Sequence, residues 1–149
     1  MAEVDAAQPA RPVPTLTPIC VAASPERLIS FVQDALGGEV ERQFHAPDGV
    51  VAHAEVRVGD SLLMVGSTSE EYPAFPAMLC VYLDDVDAAY ASALAAGASS
   101  LRPPEDQVYG DRSAGVVDAE GNQWWPTTRI EDLTRDEISE RVRASASSA

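Results

Sequence analysis

Basic side chains are scarce in this chain: ten Lys and Arg stand against 24 Asp and Glu, a formal net charge of -14. Nucleic-acid phosphates demand clusters of Lys and Arg, and the sequence contains none, so nucleic acid is excluded as a partner. An acidic surface also repels anionic membranes and mildly favours cationic ligands. No run of about 18 apolar residues exists to span a bilayer. The N-terminal segment carries Glu3 and Asp5 among Ala and Pro, not the basic-then-apolar pattern of a secretory signal. A cytoplasmic protein without membrane contact is expected. Histidine is limited to His45 and His53, and cysteine to Cys20 and Cys80, both flanked by apolar residues. A lone pair of cysteines in a cytoplasmic chain is expected to remain as buried, reduced thiols.

What the chain does have is a core and an internal echo. With 149 residues and 46% hydrophobic content, the apolar-rich stretch from residue 16 to 128 supports one domain. The pattern repeats at an offset of 60: Cys20-Val21 returns as Cys80-Val81, the cap Ser24 as Asp84, the stop Gly37 as Gly97, and the turn Gly59-Asp60-Ser61 as Ala119-Glu120-Gly121. A repeat of this length is one supersecondary unit used twice.

The unit opens with a strand over residues 15–21, then a helix capped by Ser24 with Pro25 at its first position. Leu28, Ile29, Val32 and Leu36 form the apolar stripe of that helix, and Gly37-Gly38 stops it. Strands over 39–46, 50–58 and 61–65 follow, joined at Asp48-Gly49 and Gly59-Asp60. In 50–58 the even positions are all apolar, while His53, Glu55 and Arg57 fall on the odd face. The second copy reads as a strand over 78–83, a helix over 84–96 and strands over 99–102, 109–118 and 122–128. A capping box at Thr134-Arg135-Asp136-Glu137 opens a terminal helix. The domain organisation expected is a disordered tail at 1–14, module one at 15–66, a connection at 67–77, module two at 78–128, a helix at 132–143 and a frayed tail at 144–149. Tyr72 and Phe75 make the connection aromatic, as suits a segment folded over a site.

Two βαβββ units, with Thr17-Pro18, Pro47-Asp48-Gly49, His53-Ala54-Glu55, Val81-Tyr82-Leu83-Asp84-Asp85, Tyr109-Gly110-Asp111-Arg112 and Asp118-Ala119-Glu120-Gly121-Asn122-Gln123-Trp124, resemble the vicinal oxygen chelate superfamily. Within it the chain is similar to the glyoxalase/bleomycin-resistance group and its PhnB-like branch. The resemblance implies an α+β fold in which two tandem modules form curved mixed sheets around a cavity, with a short C-terminal helix, and a homodimer. In metal-dependent members His and Glu from the first and last strands of each copy hold a divalent ion. The repeat register projects those positions onto Thr17, Met64, Met78 and Trp125. A hydroxyl, two thioethers and an indole are poor ligands for such an ion, so neither metal nor cofactor is expected.

Two functions follow from these residues. One is a metal-free small-molecule-binding protein of the bleomycin-resistance type, sequestering or carrying a hydrophobic aromatic compound, cationic ones included. Trp124 or Trp125 would be a stacking wall there, Tyr72 and Phe75 would lean over it, Met64 and Met78 would make a soft floor, and Thr17, Tyr109, Asp111 and Arg112 would supply polar anchors. The alternative is a superfamily enzyme of lyase, isomerase or dioxygenase type. It would use an atypical metal site or His53 as general base oriented by Glu55; an ordinary polar cross-strand network explains the same pair. Asp111 and Arg112 could equally brace each other.

Overall fold

The structure, a computed structural model, describes residues 11–148. Residues 1–10 of the expected tail, and residue 149, lie outside the described residues. Residues 11–14 lie against the first sheet: Arg11 pairs with Glu39 at 3.2 Å and Glu41 at 3.5 Å, and the Pro12 carbonyl accepts a bond from Arg57. The first module comprises β1 (Ile19–Ala22), α1 (Pro25–Leu36), β2 (Glu39–His45), β3 (Val51–Val58) and β4 (Ser61–Ser67). The second comprises β5 (Met78–Tyr82), α2 (Val86–Ala95), β6 (Ser99–Asp106), β7 (Asp111–Val117) and β8 (Gln123–Arg129), and α3 (Arg135–Ser147) closes the chain. The sheets run β1-β4-β3-β2 and β5-β8-β7-β6; each is antiparallel except where its first strand lies parallel to its last.

Local chemistry explains the boundaries. Thr17 donates its hydroxyl to the Pro14 carbonyl, and Pro18 has no N–H to give a ladder, so β1 begins at Ile19 rather than residue 15. Gly37 ends α1 in the left-handed region at φ 69°, where glycine carries no steric cost. α2 is capped by Asp85, whose carboxylate accepts from Ala88 N, not by Asp84. β6 runs through Pro103-Pro104 to Asp106, beyond the expected residue 102. As an edge strand it needs no N–H there, and a register break between Arg102 and Glu105 absorbs both prolines. α3 has the capping box formed by Thr134 and Glu137 and continues through Ser147, past residue 143 where fraying was expected. Alanine favours the helix, and Ser145, Ser147 and Ser148 return their hydroxyls to the carbonyls of Val142, Arg143 and Ala144.

α1 and α2 each cover one face of their own sheet and also pack on one another. A single core results, to which Leu28, Val32, Val56, Val65, Ala93, Val116 and Trp124 all belong. Phe31 and Trp124 join the modules with ring centroids 5.9 Å apart. Glu120, in the turn between β7 and β8, accepts the backbone N–H of Ser24 ahead of α1. The opposite face of each sheet has no helix over it and shows Ile19, Phe44, Met78 and Tyr82, each more than half exposed.

The two halves are out of step by one residue, which corrects the expectation for the cysteines. Val56 and Val116, sixty apart, both face the core, but their cross-strand partners are Leu63 and Trp124, sixty-one apart. The cause is hairpin length. Gly59-Asp60 closes the first hairpin between Val58 and Ser61, whereas Ala119-Glu120-Gly121 closes the second between Asp118 and Asn122, with Gly121 at φ 86° as three-residue hairpin loops favour. A one-residue shift turns every side chain on a strand to its other face. Cys20 is therefore fully buried in the core, while Cys80 is exposed on the free face. Burial, with Asp118 adding a smaller effect, pushes the Cys20 thiol up from 9.0 to about 11.

Candidate binding groove

The free face of the second sheet carries a groove of about 520 Å³. Strand alternation selects its lining: Met78, Cys80 and Tyr82 from β5, Asp111 and Ser113 from β7, and Trp125 and Thr127 from β8. Arg102 of β6 and Tyr109, in the turn before β7, close the sides. Trp125 packs closely against Gly115, where a Cβ would come within 2.6 Å of two ring carbons. Its indole N–H reaches Gln123 at 3.3 Å. The Arg102 guanidinium sits 5.0 Å from the same ring's centre, within cation–π range.

The polar groups fall into two sets. Asp111 is nearly buried and accepts bonds from the Tyr82 hydroxyl at 2.7 Å and from Arg129 Nε at 3.0 Å. Arg129 also stacks over the Tyr82 ring, 5.7 Å from its centre. The bond to Asp111 is the main cause raising the Tyr82 phenol above its ordinary value, so Tyr82 stays a neutral donor. Arg102 donates to Ser113, while its Nε is buried and has no partner among the described residues. Cys80 Sγ and Thr127 Oγ1 are 3.4 Å apart, and Thr127 donates on to the Trp125 carbonyl.

Of the residues singled out in the sequence, Met78, Tyr109, Asp111 and Trp125 meet in this groove. Trp124 does not: it is a core residue, 2% exposed, with its N–H bonded to Asp118 at 2.8 Å. Arg112 alternates to the other face of β7 and grips Asp87 of α2 and Asp106, each at 2.9 Å. Thr17 precedes β1. His53, Glu55 and Met64 share the free face of the first sheet through the pairings His53–Gly66 and Glu55–Met64. His53 Nε2 lies 4.0 Å from Glu55 Oε1, beyond hydrogen-bond length, and Arg42 approaches the same carboxylate at 3.6 Å. Tyr72 and Phe75 are exposed on the connection, where Phe75 N bonds to Val21 O of β1. Cys80, Tyr82, Arg102, Ser113 and Thr127 were not singled out. The period of two from Met78 carried the signal for Cys80 and Tyr82; Arg102 was masked by the two prolines after it.

A divalent ion does not fit the projected ligand positions. No group of three or more His, Cys, Asp or Glu comes together among the described residues. Thioether and indole leave the ion without the oxygen and imidazole donors it requires. No helix among them is long and apolar enough to cross a membrane.

A duplicated βαβββ fold is the architecture of the glyoxalase-like proteins. The sequence profile of the Glyoxalase/Bleomycin resistance protein/Dioxygenase superfamily matches residues 18–125, and the chain belongs to that superfamily. It is 28% identical over 136 residues to uncharacterized proteins of Mycobacterium bovis and Mycobacterium tuberculosis, covering 84% of this chain and 90% and 80% of theirs. Among solved structures it is similar to TioX from Micromonospora sp. ML1, with a TM-score of 0.68 and 26% identity over 77% of this chain and 98% of that one. A glyoxalase/bleomycin resistance protein/dioxygenase family enzyme from Burkholderia phytofirmans shares the fold, with a TM-score of 0.63 and 18% identity over 76% of this chain and 97% of that one.

Proposed function

We propose that this protein binds a hydrophobic aromatic compound without transforming it, sequestering or carrying it in the cytoplasm. The observation that carries the reading is the groove of about 520 Å³. Its volume suits one drug-sized ligand, and an apolar wall with few convergent polar groups suits recognition. Trp125 is packed between Gly115 and Arg102, so this wall of the groove is set before a ligand arrives and little ordering cost is left to binding. The groove's carboxylate and one phenol already satisfy each other, which leaves no free carboxylate in it to act as a base. A homodimer would close the groove, the free face of one protomer's first sheet covering the second sheet of its partner.

The enzyme alternative has His53 as base. It gains support from the proximity of Glu55 at 4.0 Å and is weakened by Arg42, which competes for that carboxylate. Two measurements separate the readings. Elemental analysis of protein purified without chelator, followed by thermal shift with Ni, Co, Mn and Zn ions, should find no stoichiometric metal and no stabilisation. Bound metal with a rise of several degrees would refute the binding-only reading. Calorimetric titration with flat aromatic compounds should show saturable binding that is lost in Gly115→Ala, where the added methyl pushes the indole away, and kept within about threefold in His53→Ala. Turnover abolished by His53→Ala with binding retained would make His53 a base.

A further inference from the structure

We infer that the groove on the second sheet recognises an anionic group, a carboxylate or similar oxyanion carried on a flat aromatic body, and that Arg102 binds it. The inference rests on the proposed ligand-binding role of the groove and names the chemistry of its ligand. The first observation is a contrast among the arginines of the sheets. Arg42 approaches Glu55, Arg57 pairs with Glu41, Arg112 with Asp87 and Asp106, and Arg129 with Asp111. Arg102 forms no ion pair among the described residues, in a chain with 24 acidic side chains.

The second observation is an orphaned donor. Arg102 Nε is buried with no acceptor among the described residues. A guanidinium has five N–H donors in a fixed fork and no acceptor, and leaving one of them buried and unmet is costly. An oxyanion entering the groove would take a charge-assisted bond from the guanidinium amine protons that Ser113 leaves free, and a small turn of the side chain would bring Nε into the same contact, the bidentate geometry that arginine offers carboxylates. The bond to Ser113 and the Trp125 ring beneath set the plane of the fork, so both would act as positioning groups.

A cation would fare worse. The carboxylate in the groove, Asp111, is already engaged by Tyr82 and Arg129, and Arg102 would repel a like charge. The overall charge of -14 works against an anion, but only at range: surface fields are screened beyond about 8 Å at physiological ionic strength. A charge-assisted hydrogen bond acts at about 2.8 Å, so the local cation decides. The general preference for cationic ligands expected from net charge is thus reversed inside the groove.

The test is calorimetric titration of the intact protein with three probes of one shape, 2-naphthoate, 2-naphthalenemethanol and 2-naphthylmethylammonium. Naphthoate should bind at least about tenfold tighter than either of the others. Arg102→Met should erase that preference, bringing naphthoate and the alcohol to within about threefold of one another in the variant. Arg102→Lys, which keeps the charge and loses the fork, should retain part of it. The wild-type comparison needs no variant to fold. Equal binding of all three probes, tighter binding of the ammonium, or an anion preference that survives in Arg102→Met overturns the assignment and leaves the groove a binding site. Binding of none of the three removes the binding function itself, and this inference with it.

Discussion

Asp118 shows how much one side chain organises here. Its carboxylate accepts the backbone N–H of Glu120 and of Asn122, the Asn122 amide and the Trp124 indole N–H, at 2.8 to 3.4 Å. It therefore holds the three-residue hairpin that sets the second module out of step. Asp118→Ala would leave buried donors unmet on Asn122 and Trp124, so a loss of roughly 2–4 kcal/mol is expected from urea unfolding. Cys20 gives a pH signature. Its folded value, about 11, lies above the ordinary 9.0, so its contribution is whole below pH 9.0 and is lost as pH climbs towards 11. At most roughly 3 kcal/mol is involved. Urea midpoints measured near pH 8 and pH 11 should fall further in the wild type than in Cys20→Ala; equal falls would show that the thiol does not carry the effect.

Elements were legible where periodicity and punctuation agreed. α1 announced itself by Pro25, its apolar stripe and Gly37, and β3 by its strict alternation. The full length of β6 is hidden in the sequence because a proline pair argues against a strand interior, an objection that vanishes at a sheet edge. Facing was the harder quantity. The offset of 60 joined Cys20 to Cys80 by letter, but strand facing depends on hairpin length to the residue, and the longer turn at 119–121 is visible only once Asp118 is seen bonding to Asn122. The groove was half legible for the same reason: Trp125 and Asp111 carry strong chemical signals, whereas Arg102 and Ser113 matter through what they meet across strands. α3 has good local signals and no buried residue. The Arg141–Glu131 pair that ties it down is surface-exposed, and such pairs contribute little. Deleting residues 135–149 should therefore change the unfolding free energy by less than about 1 kcal/mol; a larger loss would show that α3 packs against a second copy.

For the molecule as a whole, both sheets bury one face and leave the other open. Ile19 and Phe44 on the first sheet and Met78 and Tyr82 on the second are more than half exposed, and apolar area of this kind on a stable protein commonly marks an interface or a ligand site. Sedimentation analysis should find a dimer at micromolar concentration. The pair Ile19→Asp and Phe44→Asp, both outside the core, should shift it to monomer and weaken ligand binding together. A monomeric wild type, or a monomeric variant with unchanged affinity, would show that one protomer completes the site alone.

The exposed thiol of Cys80, one strand from Trp125, offers a practical handle. A maleimide dye coupled there would report occupancy of the groove by its change in emission, and thiol-blocking kinetics followed with and without a bound compound would rank ligands before any natural one is known. Cys20, sealed in the interior, would stay silent to both reagents, so the signal would come from a single position without engineering.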